Sequence, residues 1–325
     1  MSLVAGMVAG ADSIEDMDRL RHGGNAVVFD RIRAPSTLGT FLRAFTYGRV
    51  QQLNAVLRRS LIALAERTPL LPGADQVVFV DLGSTHRQVD GYAKQGAAVG
   101  RLKGKKTLHP LLATASTPIA APVVVATRMR RGKAADVRGA PRLLAEALAT
   151  VRAIAPTARI VVRGDSKFDT AEVAATAARY GAAVSLTTGS NPSVNAAITQ
   201  IPDTAWTAIH YPNAFVGGHR AAGLGCRGHR DPVSGLSFPK KRQVHGRLIV
   251  RRVKRLNPSP TQDGLFDAWR HHAVFVTSGF EMVQAESQHR AHAINRAGHR
   301  RRRRQRASPP ALSYLESRRV RPRCL

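Results

Sequence analysis

Short apolar runs rich in β-branched residues, followed by a regular alternation of helix-like and strand-like segments, dominate the middle of the chain. Three such runs come first and predict consecutive strands: 76–82, 109–116 and 121–129. The alternation then predicts helix, strand, helix and strand in turn: 139–155, 158–165, 169–181 and 182–188. Because strands come first and then alternate with helices, we predict an α/β fold with a mixed sheet flanked by helices.

The first 75 residues have a helical pattern. Asp12 or Ser13 is a suitable N-cap for a helix that runs to position 21, and acidic residues follow in its first turn. Apolar residues recur at helical spacing over 53–71, and Pro72 and Gly73 end that segment. We therefore predict a small helical N-terminal region ahead of the sheet.

Beyond Gly189 the regularity weakens. The pattern still predicts three strands and one helix: 206–215, 245–257 and 271–278 for the strands, and 282–294 for the helix. The segment from Val216 to about Gln243 shows neither the helical nor the strand period. We expect this segment to be a poorly ordered loop.

The chain is strongly basic. Its 50 Lys and Arg residues against 21 Asp and Glu residues give a formal net charge of +29. The segment from Arg296 onward includes five consecutive arginines and contributes +10, so that +19 belongs to the rest of the chain. Such a surplus favours a polyanionic partner, since nucleic-acid binding depends on phosphate neutralisation. The alternative is a basic surface that only keeps the protein soluble.

Cysteine content and hydropathy narrow the class of protein further. Cys226 and Cys324 are too few and too far apart for a disulfide framework or a zinc site, so we expect a reducing cytoplasm. The opening segment has no basic region and soon meets Asp12, so we expect neither a signal peptide nor a membrane span there. No other apolar run is long enough to cross a bilayer, and a membrane partner is not expected.

Two aspartates lie at the ends of predicted strands. Asp81 ends the first strand, and Asp165 ends a later one, directly before Ser166. Carboxylates at strand ends of an open α/β sheet face the crevice where ligands bind. Together they can hold Mg²⁺, and two ions about 4 Å apart serve phosphoryl transfer. Taken singly, an aspartate at a strand end is more often a turn or cap residue.

Basic residues cluster in two further segments. A predicted hairpin beside the first aspartate carries five of them: Lys94, Arg101, Lys103, Lys105 and Lys106. A predicted strand carries Arg251, Arg252 and Lys254 on both of its faces, which makes full burial costly. We predict that both segments contact phosphates, with a solvated surface as the alternative.

An ordered series of motifs resembles the DDE transposases of bacterial insertion sequences. It extends from the N-terminal helices to Ile294 and consists of VDLGST, GYAKQGA, PLLATAS, RRGKAADVRGAPRLLAEAL, VVRGDSKF, NPSVNAAI, AWTAIHYPNAF, GRLIVRRVKRLN, AWRHHAVF and AESQHRAHAI. The order of these motifs along the chain is far more specific than any one of them.

The resemblance implies a ribonuclease-H-like fold with a β-rich insertion between the second aspartate and a final glutamate. It implies metal-dependent cleavage and strand transfer at the ends of the element, with two Mg²⁺ or Mn²⁺ ions. Asp81 and Asp165 are then the catalytic metal ligands. His289, Arg290 and His292 fall in the last-helix motif, where we expect contact with DNA.

The resemblance also implies an organisation and a setting. The regions are a helical N-terminal region for DNA binding or dimer contacts (1–75), the first part of the catalytic core (76–188), a partly disordered β-rich insertion (189–246), the last part of the core (247–295) and a basic disordered tail (296–325). The expected partner is double-stranded DNA, both the element ends and the target, on the nucleoid in the cytoplasm. A homodimer is left open.

The chain departs from the family pattern at two acidic positions. Where the family motif D-x-D-S-T has its metal-binding carboxylate, this chain has Gly83, and Asp81 on the same side of the strand is displaced by roughly 6–7 Å. Asp165 matches the second family aspartate. The last acid falls where the chain has Arg296, and a cation there opposes metal binding. We therefore predict weak or absent catalysis.

The resemblance ends abruptly after Ile294. The family continues with a helix and an apolar segment, whereas this chain continues with arginine, proline and serine. A shifted reading frame in a GC-rich gene explains the change. The segment 217–229 can also be back-translated so that the neighbouring frame resembles an acidic stretch of the family. Codon degeneracy permits such a fit by chance, so the frame shift is a hypothesis that DNA sequencing tests.

Three functions are open on the sequence alone. The first is a transposase by descent with impaired catalysis. The second is a non-catalytic DNA-binding protein that recognises element ends and competes with an intact enzyme. The third is a structure-specific nuclease, which needs a third carboxylate such as Glu281 or Glu286, each at least two helical turns before position 296.

Overall fold

The computed structural model describes residues 2–11, 13–22, 25–28, 31–90, 94–100, 102, 104–209, 222–227, 233–234, 244–254 and 269–292. Its internal contacts divide the chain into two units, Met1–Ser60 and Leu61–Leu325. The described part of the first unit is helical, and the second, larger unit contains the sheet.

Short helices build the first unit. They are α1 (Ser2–Val8), a 3₁₀ helix (Glu15–Arg21), α2 (Asn25–Val28), α3 (Pro35–Arg43) and the beginning of α4 (Tyr47–Ala65). Ser13 and Asp16 exchange two hydrogen bonds at the start of the 3₁₀ helix, since each backbone N–H donates to the other side chain. The segment predicted to be helical up to position 21 thus contains a 3₁₀ helix, and its N-cap is Ile14 rather than Asp12 or Ser13.

Thirteen strands lie in the described part of the second unit. They are β1 (Val78–Ser84), β2 (Arg87–Gln88), β3 (Ala98–Val99), β4 (Lys106–Leu108), β5 (Leu111–Ser116), β6 (Val123–Arg128), β7 (Ile160–Gly164), β8 (Ala183–Thr188), β9 (Thr207–Ala208), β10 (Ala222–Arg227), β11 (Val233–Ser234), β12 (His245–Lys254) and β13 (Trp269–Val276). Four α-helices follow α4 within the described residues: α5 (Ala140–Ile154), α6 (Ala171–Arg179), α7 (Pro192–Thr199) and α8 (residues 282–292). A short 3₁₀ helix is formed by Asp203–Ala205.

The central sheet has a mixed topology. Its order is β6-β5-β1-β7-β8-β13-β12-β10-β9, with β11 paired to β12. Within the first five strands, β6, β5 and β1 are antiparallel neighbours, while β1, β7 and β8 run parallel. Helix α5 connects β6 to β7 and α6 connects β7 to β8, which is how parallel strands are normally joined. This order and direction are those of a ribonuclease-H-like sheet.

Helices cover both faces of the five-stranded core. On one face α5 and α6 pack on Val78, Val80 and Leu82 of β1 in a large apolar cluster. Because strand residues alternate between faces, Phe79 and Asp81 point to the opposite side, where α8 lies. The two faces of β1 therefore meet different helices.

Antiparallel strands extend the sheet beyond β8. β13 pairs with β8, β12 with β13, and β10 with β12. β10 and β11 lie in the segment predicted to be poorly ordered, and residues 210–221, 228–232 and 235–243 of that region fall outside the described residues. The strand predicted over 206–215 is described only at Thr207–Ala208.

The mixed α/β fold with a sheet flanked by helices is confirmed. The predicted helices at 139–155 and 169–181 correspond to α5 and α6, within two residues at each boundary. Within the described ranges, no helix is both long and apolar enough to span a membrane. The tail from 296 to 325 lies outside those ranges.

Candidate active site at the carboxyl edge of the sheet

The parallel strands β1 and β7 bring the two predicted aspartates to the same part of the sheet. In their register Asp81 pairs with Arg163, so that Gly83 and Asp165 follow two residues later along each strand. The carboxyl ends of parallel strands share one edge, where open α/β sheets bind ligands. Gly83 and Asp165 lie at this carboxyl edge, whereas Asp81 lies deeper in the sheet.

Asp81 is held by a buried guanidinium. Arg163 donates from Nε to Oδ1 (2.6 Å) and from Nη2 to Oδ2 (2.8 Å), and both side chains are almost fully buried. Nδ1 of His292 lies 3.1 Å from Oδ1, although the geometry falls short of an aligned hydrogen bond. Burial raises the pKa of Asp81, but His292 and Arg163 outweigh that effect and hold the pKa well below its ordinary value. Asp81 is therefore an ionised carboxylate with both oxygens engaged.

Gly83 lies on the same side of β1 as Asp81 and is half-buried. A Cβ atom built on Gly83 meets no heavy atom of the described residues within 4 Å. The position where the family has its metal-binding carboxylate is therefore open to a side chain.

Asp165 begins the loop between β7 and α6 and is half-buried. Its Oδ1 accepts a hydrogen bond from the backbone N–H of Lys167 (3.1 Å), as in an Asx turn. The same loop carries Asp169, and burial raises the pKa of that carboxyl to about 6. The carboxylate of Asp165 is thus presented at the carboxyl edge by a turn that its own side chain stabilises.

A buried network that the sequence analysis missed joins β1 to the Asp165 loop. Asp136 accepts a hydrogen bond from Oγ of Ser84 (2.8 Å), and its other oxygen lies 3.2 Å from Nζ of Lys167. Nε2 of His109 lies 3.2 Å from Asp136, and Arg130 donates to the Asp136 carbonyl (2.8 Å). The only sequence signal was the RRGKAAD motif, whose spacing does not say which strand Asp136 faces.

Helix α8 places both predicted histidines against the sheet. His289 lies between the hydroxyls of Ser185 and Thr187, each 2.9 Å from one ring nitrogen. Burial, reinforced by His292 and Arg163, lowers the pKa of His289 to about 4, so the ring is neutral at pH 7. His292 is also buried. Both rings therefore contact the protein interior, and their predicted contact with DNA stays a prediction.

Two further residues of α8, Glu286 and Arg290, carry charge. Glu286, proposed above as an alternative third carboxylate, is buried 3.5 Å from both Arg251 and Arg290. Two guanidiniums thus flank the Glu286 carboxylate. Glu281 lies just before α8. Arg296, at the last family position, lies outside the described residues.

The predicted basic segments differ in exposure. Lys94 and Lys105 are exposed and Lys106 is half-buried, on or beside the small sheet β2-β4-β3, while Arg101 and Lys103 lie outside the described residues. In the other segment, the Arg252 guanidinium stacks on Trp206 and Trp269, 4.2 and 4.7 Å from their ring centroids. Lys254 ends β12 opposite Trp269. Phosphate contact by these residues stays a prediction.

The carboxylates of the described residues do not form a two-metal site. In the described part of the chain, no group of three or more His, Cys, Asp or Glu side chains is arranged to hold a metal ion. Asp81 would have to give up the Arg163 guanidinium to bind a cation, and Gly83 offers no ligand atom. Mg²⁺ needs several oxygen ligands. The binding of Mg²⁺ or Mn²⁺ by Asp81 and Asp165 therefore stays a prediction, and these contacts do not favour it for Asp81.

Comparison with known proteins identifies the family. No curated protein matches the chain significantly. The model of the family described as "Transposase DDE domain group 1" matches residues 1–222, well over half of the chain. The match covers β1 with Asp81 and Gly83, β7 and the Asp165 loop. Together with the ribonuclease-H-like sheet, this match shows that the chain belongs to the DDE transposases, domain group 1.

Proposed function

We propose that the chain is an insertion-sequence transposase in fold and DNA recognition whose cleavage centre is incomplete. The observation that carries this proposal is the geometry at the carboxyl edge. The position level with Asp165 is Gly83, where a Cβ atom would meet no heavy atom of the described residues within 4 Å, while Asp81 is bound by Arg163. Family chemistry needs carboxylates that hold divalent ions at the reacting phosphate. This chain retains Asp165 but has glycine and arginine where the other two acids belong.

The basic charge supports retained DNA binding. The net charge without the segment from Arg296 is +19, and Lys94 and Lys105 are exposed near the sheet. We propose double-stranded DNA, both the element ends and target DNA, as the partner, with the nucleoid as the place of action. Binding by phosphate neutralisation does not require the missing carboxylates. Loss of cleavage is thus compatible with tight, salt-sensitive binding.

A shifted reading frame accounts for the departures near the end of the chain. The family match ends at position 222, inside the segment 217–229 whose neighbouring frame resembles the family. This coincidence supports the hypothesis. DNA sequencing that found no better family pattern in the other frames would remove it.

The second function is a non-catalytic DNA-binding protein that competes with an intact enzyme. Two contacts favour this function over a nuclease. Asp81 is bound by Arg163, and Glu286, the buried alternative acid, already lies between two arginines. Residual DNA cleavage by a site built on Asp81 and Asp165 would contradict this second function.

The test is Mn²⁺-dependent cleavage of DNA that carries the sequences flanking the gene. Four chains are compared: the parent, Gly83→Asp, Arg296→Glu and the double repair. We expect salt-sensitive binding by all four, no cleavage by the parent, and the most cleavage by the double repair. Asp165→Ala in the double repair is the matched control and should abolish cleavage.

Cleavage by the parent that Asp165→Ala removes would overturn the proposal, because a working site would then exist without an acid at position 83. Absence of DNA binding by the parent at low salt would overturn the retained-recognition half. Binding without cleavage would support the non-catalytic function.

A further inference from the structure

A buried polar cluster joins helix α8 to the sheet below the carboxyl edge. Arg163 is among the largest fully buried side chains of the protein, and its guanidinium also lies 4.1 Å from the Phe79 ring centroid. Besides the two bonds to Asp81, its Nη1 donates to the Gln288 carbonyl of α8 (2.6 Å). One guanidinium thus ties β1, β7 and α8 together.

The helix meets the sheet at three successive points. The Gln288 carbonyl contacts Arg163, the His289 ring lies between Ser185 and Thr187, and the His292 ring lies beside Asp81. These residues occupy neighbouring turns on one side of α8. The described part of α8 buries little apolar surface near this point, because its buried hydrophobic residue is the small Ala285.

Polar contacts of this kind specify register more strictly than apolar ones. A slide of α8 by one turn, about 5.4 Å, would leave the Arg163 and Asp81 charges without their helix partners in a water-poor interior. Leucine side chains facing each other would tolerate the same slide with a smaller loss. The arrangement therefore allows only one register of α8 on the sheet.

We propose that Asp81 is a positioning residue and not a metal ligand: with Arg163 it forms a buried clamp that fixes the register of α8 on the sheet. The clamp is inferred only from the contacts that join Asp81, Arg163 and α8. Its importance for catalysis rests on the proposed function, because α8 leads to the position where the family has its last acid.

Amide hydrogen exchange of the full-length chain tests the clamp. Asp81→Asn removes the charge that holds Arg163, and we expect exchange of the α8 amides to accelerate about 10- to 100-fold relative to the parent. Amides of α5, on the other face, should change less than about threefold. Asp165→Asn is the matched control, a carboxylate at the same edge outside the clamp, and should leave α8 unchanged.

The exchange result decides the proposal. Equal acceleration in α5 and α8 would show a general loss of stability and would overturn the positioning role, as would no change in α8. If Asp81→Asn does not fold, Asp81→Leu with Arg163→Leu replaces both charges together. That variant should fold and show the same local loss at α8, and full protection of α8 in it would contradict the clamp.

Mn²⁺ binding, followed by electron paramagnetic resonance, tests the other half of the inference. In the parent chain, Asp165→Asn should weaken any bound Mn²⁺ at least about tenfold, and Asp81→Asn less than about threefold. An equal loss in both variants would overturn the assignment. No measurable binding by the parent agrees with it, since Asp81 and Asp165 then form no site. Cleavage activity enters neither readout, so the clamp can fail while the proposed function stands.

Discussion

Helices α5 and α6 pack on one face of the central sheet through leucine, valine and alanine, whereas α8 packs on the other through a guanidinium, a carboxylate and two imidazoles. The apolar face is stabilised by buried area, which depends little on direction or pH. The polar face is stabilised by directional contacts that need each charge and each tautomer in place. The apolar face therefore stabilises the fold, whereas the polar face fixes the position of α8.

The largest expected effect is on the polar face. Arg163→Met keeps much of the side-chain volume but leaves the Asp81 carboxylate buried without its guanidinium. We expect a loss of about 3–5 kcal/mol in the free energy of unfolding, measured by urea denaturation. Arg142→Met, an exposed arginine on α5, is the control and should cost less than about 0.5 kcal/mol. Equal losses in the two variants would contradict the contrast between the faces.

The apolar face should respond to volume alone. Leu144 of α5 is fully buried, and Leu144→Ala should cost about 3 kcal/mol through lost burial and a cavity. Leu144→Met nearly conserves volume and should cost less than about 1.5 kcal/mol. Urea denaturation at pH 5 and pH 8 should give the same loss for Leu144→Ala. A loss that changed strongly with pH would show that the two faces are coupled.

Acid should weaken the polar face selectively. The pKa of His289 is lowered to about 4 in the folded chain, against about 6.5 when unfolded, so its stabilisation is complete above pH 6.5 and is lost as the pH falls. By pH 4.5 the loss should reach about 2–3 kcal/mol. His292, Arg163 and Asp81 surround the ring.

The measurement for His289 is the free energy of unfolding against pH. His289→Gln retains hydrogen bonding to the two hydroxyls without a titrating ring, and its profile should be flatter between pH 6.5 and 4.5. A parent profile no steeper than that of His289→Gln would show that the ring does not titrate as the structure requires.

The smallest effect is expected at the open position beside the clamp. Gly83→Ala should raise the free energy of unfolding by about 0.5 kcal/mol, because its Cβ has space and the unfolded chain loses freedom. Gly132→Ala is the contrasting control, since its Cβ would collide with the Thr107 carbonyl. Thermal denaturation of both variants measures the difference. Destabilisation by Gly83→Ala would mean that the space is filled in solution.

Local patterns predicted most of the core elements. β1, β5, β6, α5, β7, α6 and β8 all lie within or close to the predicted segments, because burial of one face gives each element its own periodicity. The helix predicted over 12–21 is a 3₁₀ helix that begins only at Glu15, and β10 and β11 fell in a segment without a period. Two glycines and an arginine among its six residues conceal the strand β10, and its pairing with β12 supplies the stability that propensity does not.

The site was predictable only in part. The strand pattern placed Asp165 at the end of a strand, and the structure agrees, but Asp81, which was also predicted to end its strand, lies in the middle of β1. Asp136 was missed because its partners, Ser84 and Lys167, come from distant strands and loops. Arg251 and Arg252 read as phosphate contacts in a basic sequence, yet Glu286 and two tryptophans lie against them.

Residue order alone was enough for the succession of strands and helices, for the basic charge and for the acids missing at two family positions, because each is a local property of the chain. The partner of Asp81 is not local. Arg163 lies 82 residues away, and only the parallel register of β1 and β7 puts its guanidinium against that carboxylate. A pattern of apolar and polar residues does not encode which of two neighbouring strands is shifted by a residue. Folding therefore decided that Asp81 meets a guanidinium in the interior while Gly83 lies open at the edge.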